Sequence, residues 1–251
     1  MNNTIDLIKT AANQTIIKQA ISANNLANIS TPGFKSQLRY LSNVISNPDE
    51  TQETISNSFQ YDLSNGILKH TNKPLDIALS DHYWLELRDN KNQDFYTRNG
   101  HCEINNKGEL IIQGLHVMNQ LGKPMQIPIN SIPSFDKHGM LSAIVKNNDN
   151  GNAILEIGEL KTKYIEDNNL YKHINGFFRL KHDSTSTSNK SNNYDDSIQV
   201  FKGFTEESNV NPTENIIDMI NDTRQFDMEM NMVTNFNNNE QKANSILNIN
   251  N

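Results

Sequence analysis

The sequence contains little of what would crosslink the chain, insert it into a membrane or attach it to nucleic acid. It has a single cysteine, Cys102, so neither an intrachain disulfide nor a thiolate metal cluster is available to it. No segment approaches the roughly 20 apolar residues that span a bilayer. The 22 basic residues are scattered and outnumbered by 29 acidic ones, giving a net charge of -7. We therefore predict no membrane insertion and no nucleic-acid partner.

Motifs for catalysis and metal binding are also missing from the sequence. It contains no glycine-rich phosphate loop and no G-x-S-x-G elbow. His101 and Cys102 are adjacent, and adjacent strand residues point to opposite faces, so they are not expected to act as base and nucleophile. Residues 149–151 resemble the start of a calcium loop, but no later Glu completes it, and a hairpin turn explains them. We predict no catalytic residue, no cofactor and no metal site, hence no enzyme. None of the seven histidines has helical metal-ligand spacing: His70, His82, His101, His116, His138, His173 and His182.

The first residues predict a long helix that starts without a cleavable signal peptide. They contain neither a basic leader nor a continuous apolar core, which a secretory signal requires. Small and apolar side chains recur in steps of three and four, which gives a narrow stripe that needs a distant partner. The stripe consists of Ile5, Ile8, Ala12, Ile16, Ala20, Ala23 and Ala27.

A second, longer helix is predicted at the other end of the chain. Asn211 is placed to cap it, Pro212 suits its first position, and Glu214 falls at the third position of a capping box. Alternating steps of three and four then continue to the end of the chain and predict a coiled-coil seam. Its apolar members, which we take as assembly residues, are Ile216, Met219, Phe226, Met230, Val233 and Leu247, and the polar members are Thr223, Asn237, Glu240 and Asn244.

The middle of the chain reads as β structure. Short runs such as residues 84–87, 109–112 and 153–157 are rich in Ile, Leu and Trp and too short for helices. Asn-Gly pairs, which favour tight hairpin turns, lie between such runs. These pairs begin at Asn65, Asn99, Asn150 and Asn175.

Together these segments predict an α+β fold in which the two terminal helices form one discontinuous, coiled-coil-like unit around an inserted, mainly-β domain. The predicted boundaries are residues 1–35, 36–65, 66–205 and 206–251. The second range is a connector, with an aperiodic polar stretch at residues 42–64. Another polar, low-complexity stretch at residues 183–193 is not expected to pack.

Residues 25–35 read Asn-Leu-Ala-Asn-Ile-Ser-Thr-Pro-Gly-Phe-Lys and carry the strongest local signal in the sequence. Pro32 disfavours helix at Thr31, so the first helix should end near Asn28. Pro-Gly at the centre of a turn favours type II geometry with Gly33 at positive φ. Taken alone, Pro-Gly marks turns in every fold class.

As a whole, this string resembles the N-terminal signature of the flagellar rod and hook protein family. The matching residues are Asn25, Leu26, Ala27, Asn28, Thr31, Pro32, Gly33, Phe34 and Lys35. Residues 73–79, 83–85 and 96–100 resemble the shared domain of the same family, and Gly108 and Gly114 continue that likeness. Residues 208–212 and 224–228 look most like the proximal rod members.

The resemblance implies a structural subunit of the proximal rod in the bacterial flagellar basal body, where the rod spans the periplasm. In this family, terminal helices of neighbouring subunits pack around a channel, β domains form the outer tube, and the tube transmits torque for motility. The implied partners are other rod subunits, including copies of the chain itself, and the flagellar type III export apparatus. The predicted inter-helix contacts lie either between subunits or only within one: Leu26, Phe226, Met230 and Val233.

Other functions stay open at this point. A secreted wall-acting enzyme or adhesin that presents a β domain on a helical stalk also fits the layout, and a pocket of perturbed carboxylates would favour it. Within the same family, a distal rod or hook protein shares the first motif.

Overall fold

The computed structural model describes residues 2–39, 60–146, 152–166, 169–173, 175–181 and 198–248. The chain divides into two compact units. A helical unit combines Met1–Ile29, Ser36–Asp62 and Val210–Asn251, and a β unit combines Ser30–Lys35 and Leu63–Asn209. The predicted α+β class, with a discontinuous helical unit and an inserted β region, is confirmed. The expected polar stretch at 183–193 lies outside the described residues, as does most of the one at 42–64.

The helical unit pairs α1 (Asn2–Ala27) with α2 (Pro212–Asn248). With 37 residues, α2 extends about 55 Å at 1.5 Å per residue. The predicted cap is confirmed, because the Oδ1 of Asn211 accepts from the backbone N–H groups of Thr213 and Glu214 at 3.2 and 3.4 Å. Neither helix has, within its described residues, an apolar stretch long enough to cross a membrane.

The helices are antiparallel, as three side-chain contacts between them show. Thr15 donates to Glu229 at 3.3 Å, Gln19 to Thr223 at 3.1 Å, and Asn25 to Asn215 at 3.4 Å, so the numbering rises on one helix as it falls on the other.

The seam between α1 and α2 is part polar and part apolar, which corrects half of the predicted positions on α2. The buried positions of α2 are Asn215, Asp222 and Glu229, one residue before the predicted Ile216, Thr223 and Met230. Those three predicted members are exposed, whereas the others, Met219, Phe226 and Val233, are half-buried. The polar residues tolerate burial because α1 and residues 36–39 supply hydrogen-bond partners for them.

The predicted stripe on α1 is likewise correct only in its first half. Ala12 is buried, and Ile5 and Ile8 are half-buried, but the remaining four members are exposed: Ile16, Ala20, Ala23 and Ala27. Beyond Ala12 the buried positions are instead Thr15, Ile21, Ser22 and Asn25. A stripe of apolar residues cannot anticipate this seam, because polar side chains occupy it.

The described residues of the β unit form short antiparallel strands. The strands are β1 (Leu68–His70), β2 (Ile77–Leu79), β3 (Tyr83–Arg88), β4 (Asp94–Thr97), β5 (Glu103–Ile104), β6 (Leu110–Ile112), β7 (Leu115–Val117), β8 (Ser131–Phe135), β9 (Met140–Lys146), β10 (Asn152–Glu159), β11 (Thr162–Tyr164), β12 (Leu170–Lys172), β13 (Phe178–Leu180), β14 (Val200–Lys202) and β15 (Phe204–Glu206). These strands make up four sheets. Eight strands form the largest sheet, in which β12-β13-β4-β3-β7-β6-β5 are consecutive neighbours and β11 also pairs with β3. A three-stranded sheet has the order β10-β9-β8, and two pairs join β1 to β15 and β2 to β14.

The core of the β unit lies among β2, β3, β4, β6 and β7, whose apolar side chains are almost fully buried. The three runs that were predicted as strands fall in β3, β6 and β10. Side chains with at most 1% exposure include Ile77, Leu85, Leu87, Phe95, Leu110, Ile112 and Val117. These residues belong to one contiguous hydrophobic cluster, which is the main source of stability for this unit.

Four turns of the described β unit use the same five-residue loop, which the sequence analysis did not anticipate. The first residue is Asp or Asn, and its Oδ1 accepts backbone N–H groups from within the loop at 2.8 to 2.9 Å. The fourth residue has positive φ and is Gly in three loops and Asn92 in the other. The loops are residues 89–93, 105–109, 119–123 and 136–140.

The Asn-Gly pairs predicted the wrong kind of turn at two of four sites. Neither Gly66 nor Gly100 closes a hairpin; an added Cβ would lie 1.9 Å from the carbonyl oxygen of Glu207 and 1.6 Å from that of Ile77, respectively. Glycine is required there because two backbones approach closely. Gly176 does lie between paired strands β12 and β13, and residues 150–151 are outside the described part.

Candidate functional site

The first part of the motif, residues 25–28, ends α1 within the helical unit. The Asn25 amide is 3% exposed, and it donates to the carbonyl oxygen of Gln37 at 2.9 Å and accepts from the Gln37 N–H at 2.8 Å. Gln37 forms a β-bridge with Tyr61. Asn25 thus joins α1 to a short antiparallel ladder, while Leu26 and Asn28 are half-buried and Ala27 is exposed.

Residues 31–34 form the expected turn within the β unit. The N–H of Phe34 donates to the carbonyl of Thr31 at 3.3 Å, and Gly33 has φ of 66°. The prediction of positive φ is confirmed, but the structure adds a second reason for glycine. A Cβ at this position would lie 2.2 Å from the backbone N of Asn99. Thr31 and Pro32, like Phe34, are half-buried.

Lys35, the last motif residue, is buried in an ionic cluster of the β unit. Its Nζ lies 2.7 Å from Oε1 of Glu206, and Arg98 donates through Nε to Oε2 of the same carboxylate at 2.7 Å. Exposure is 1% for Lys35, 5% for Arg98 and 1% for Glu206. We call these three residues the buried triad. The sequence spacing indicated neither these short distances nor this burial.

Backbone groups around the triad supply further hydrogen bonds to it. Lys35 Nζ also donates to the carbonyl of Ser64 at 2.6 Å, and Gly66 N–H donates to Glu206 Oε1 at 3.0 Å. The Arg98 guanidinium reaches the carbonyl of Leu79 at 3.1 Å and that of Ser80 at 2.8 Å. Two segments that resembled the family separately, residues 31–35 and 96–100, therefore meet at one site.

Glu206 was missed by the sequence reasoning because no local pattern marks it. It lies in β15, and its neighbour Glu207 has the same side chain yet forms a surface pair with Lys69, where the side chains are 43% and 65% exposed. Only the pairing of β15 with β1 directs one of the two adjacent carboxylates inward.

Other titratable groups of the β unit have structural partners. Lys172 lies 4.3 Å above the Phe34 ring, and burial lowers its pKa. Burial, and next the charge of Asp76, raises the pKa of the Cys102 thiol, which agrees with the expected structural thiol. His101 Nδ1 contacts Asp76 Oδ1 at 2.7 Å, a partner that the sequence did not reveal. Within the described residues no three His, Cys, Asp or Glu side chains are grouped to hold a metal ion.

The predicted assembly residues of α2 occupy two different environments. Ile216 and Met230 are 46% and 44% exposed, while Met219, Phe226 and Val233 are half-buried along the seam with α1. The side chain of Leu247 lies outside the described residues.

Two family models match the ends of the chain. One, the flagella basal body rod protein, matches residues 9–35, which include the motif and the triad's Lys35. The other, the C-terminal region of the flagellar basal body rod FlgEFG proteins, matches residues 202–246, which include Glu206 and most of α2.

Curated relatives match along the whole chain. The flagellar basal-body rod protein FlgF of Buchnera aphidicola (Schizaphis graminum) is 36% identical over 257 residues, which is 100% of both chains. FlgF of Salmonella typhimurium is 36% identical, covering 98% of this chain and 99% of the relative. The chain belongs to the FlgF family of flagellar basal-body rod proteins. A FlgG protein of Buchnera aphidicola (Baizongia pistaciae) is only 23% identical over 91% of this chain.

Membership of the FlgF family makes the chain a structural subunit of the flagellar basal-body rod, located in that rod. The predicted resemblance to the flagellar rod and hook protein family is thereby confirmed. The comparisons give no support to a wall-acting enzyme or an adhesin.

Proposed function

We propose that this FlgF-family subunit polymerises through apolar side chains that α1 and α2 leave exposed, and so contributes to a tube that transmits torque. The proposal rests on where polar and apolar side chains lie in the helical unit. Polar residues occupy several buried positions between its two helices, whereas many large apolar side chains are exposed.

The exposed apolar residues of α2 are spread around the helix rather than confined to one stripe. At about 100° per residue, Met230, Ile216, Ile220, Met228 and Met232 point in successive directions away from the seam. Each is between 44% and 57% exposed. A helix that is apolar on several sides is typical of one surrounded by other helices. The neighbours we propose are the terminal helices of adjacent subunits.

The polar positions of the seam suit such a subunit because they help to fix how α1 and α2 pair without using the exposed apolar side chains. Asn25 with Asn215, and Thr15 with Glu229 at 3.3 Å, make directional contacts that a shifted register would break. Buried polar pairs are known to set register in coiled coils. The apolar residues therefore stay available for intersubunit contacts.

The proposed partners are further copies of the chain, other rod subunits next to it and the flagellar export apparatus. The role is mechanical, so the protein is proposed not to be an enzyme and to need no cofactor. The four ranges predicted as domains are kept as a proposal, with the terminal helices serving assembly and the inserted β domain forming the outer part of the tube.

The test replaces Met230, which is exposed, rather than Phe226, where a charge would also disturb the seam. Met230→Glu should fold normally by circular dichroism but be depleted from detergent-extracted basal bodies, measured by mass spectrometry, because a carboxylate would be buried against apolar neighbours. Met230→Leu keeps the apolar contact and should be incorporated normally. Incorporation of Met230→Glu at the normal level would refute the proposal.

A further inference from the structure

We propose that the buried triad is a latch that holds three separate segments of the β unit together and opens as a unit distinct from the hydrophobic core. The segments are residues 30–35, 63–67 and 204–209. In the sequence each of them adjoins the helical unit: the first at Ile29 and Ser36, the second at Asp62 and the third at Val210. The latch therefore closes the β unit at every point where the chain enters or leaves it.

Hydrogen bonds link every pair of these segments. Gly33 N–H donates to the carbonyl of Glu206 at 2.7 Å, which joins the first segment to the third. Glu207 N–H donates to the carbonyl of Ile67 at 2.8 Å, which joins the third to the second. Lys35 joins the first to the second through the carbonyl of Ser64 at 2.6 Å. These three hydrogen bonds hold the segments together.

Charge makes the three attachments interdependent. Lys35 and Arg98 are both buried cations, and Glu206 is the carboxylate that contacts both of them. Without it, two like charges would face each other away from water, which is strongly unfavourable. Docking of residues 30–35 therefore requires β15 to be in place, although Lys35 and Glu206 are 171 positions apart.

Arg98 of the triad reaches the edge of the core through the carbonyl of Leu79, but the centre of the core is supported by contacts that do not include the triad. Leu87 in β3 and Phe95 in β4 are 0% and 1% exposed and pair directly across the largest sheet. Neither residue contacts a charge of the triad in any described hydrogen bond. Native proteins open in such separable cooperative units, and hydrogen exchange distinguishes them.

The test is native-state hydrogen exchange of the full chain, comparing wild type with Glu206→Gln. Exchange at the amides of Gly33, Gly66 and Glu207 should rise together by about 100-fold or more, because breaking a buried ion pair leaves uncompensated charge. Exchange at Leu87 and Phe95 should stay within about twofold.

Glu207→Gln is the matched control, since it removes the same charge one position along the chain but from a surface pair of little energetic value. It should leave all five amides unchanged. If Glu206→Gln does not fold, Lys35→Met decides, because it keeps the pair of Arg98 and Glu206 and removes only the contacts of Lys35 to Glu206 and to the carbonyl of Ser64. It should raise exchange at Gly33 and Gly66 by roughly tenfold or more.

Two results would overturn the latch. An equal rise at the latch and core amides would make the triad an ordinary part of one cooperative β unit. No rise, or a rise at a single amide, would show that the charges do not hold the three segments together.

Discussion

Gly33→Ala is expected to destabilise the β unit far more than positive φ alone explains. The added Cβ would lie 2.2 Å from the N of Asn99 and 2.4 Å from the carbonyl carbon of Arg98. Ordinary contacts between such atoms begin near about 3.5 Å, so the turn would have to move by about 1 Å or more. Backbone atoms cannot give way as the end of a flexible side chain can.

The magnitude follows from three contributions. An alanine in the left-handed region costs about 1–2 kcal/mol. Moving the turn weakens the bond from Gly33 to the Glu206 carbonyl, 2.7 Å in the native structure, for about 0.5–1.5 kcal/mol. It also displaces the nearby Lys35, and weakening the buried ion pair of this residue adds to the loss of unfolding free energy. We expect a total loss of about 3–5 kcal/mol in the free energy of unfolding.

Gly122→Ala is the matched control, because Gly122 has φ of 71° but no atom within 4 Å of its added Cβ. It should cost only the conformational part, about 1–2 kcal/mol. The assay is urea unfolding followed by the fluorescence of Trp84, the single tryptophan, which is 2% exposed in β3. Equal losses for the two variants would refute the argument from close backbone approach.

Three further predictions concern other parts of the chain. Burial raises the pKa of Cys102, so the thiol ionises in the unfolded state before it ionises in the folded state as pH rises. The unfolding free energy should be unaffected below about pH 8.5 and fall above it, by at most about 1.4 kcal/mol per pH unit. Cys102→Ala should lessen this slope, measured by urea unfolding at pH 8 to 10. Asn105→Ala removes an acceptor of two N–H bonds, both 2.9 Å, and should lower the unfolding free energy by about 1–2 kcal/mol, whereas Asn106→Ala, at the exposed next position, should have little effect. Ser22 is 0% exposed and its Oγ has no hydrogen-bond partner among the described residues, so Ser22→Ala should raise the thermal midpoint of the helical unit, measured by circular dichroism at 222 nm; a lower midpoint would contradict this.

Local chemistry explains which parts of the fold were predictable. The cap at Asn211, the turn with Gly33 at positive φ, and the short apolar strands each depend on neighbours within a few positions. The loops that begin with Asp or Asn also carry a local signal, a Gly or Asn three positions later. The Asn-Gly pairs do not mark these loops, and two of the pairs mark close backbone approaches instead.

The candidate site, too, was only partly predictable from the sequence. The motif of residues 25–35 identified the family from sequence alone, yet nothing in it indicated that Asn25 would bind Gln37 while Lys35 would be buried against Glu206. Half of the helix seam on α2 was misplaced by one position, because polar residues occupy it at Asn215, Asp222 and Glu229. Their burial is acceptable only when partners from a distant segment arrive.

The order of elements, the end of α1, the start of α2, the turn after α1 and the family all follow from the amino-acid sequence, because each rests on short-range backbone preferences or on a contiguous motif. Tertiary structure alone decided which polar side chains are buried. A charge such as that of Lys35 has a low free energy inside the β unit only because strand pairing brings a carboxylate from the far end of the chain into contact with it.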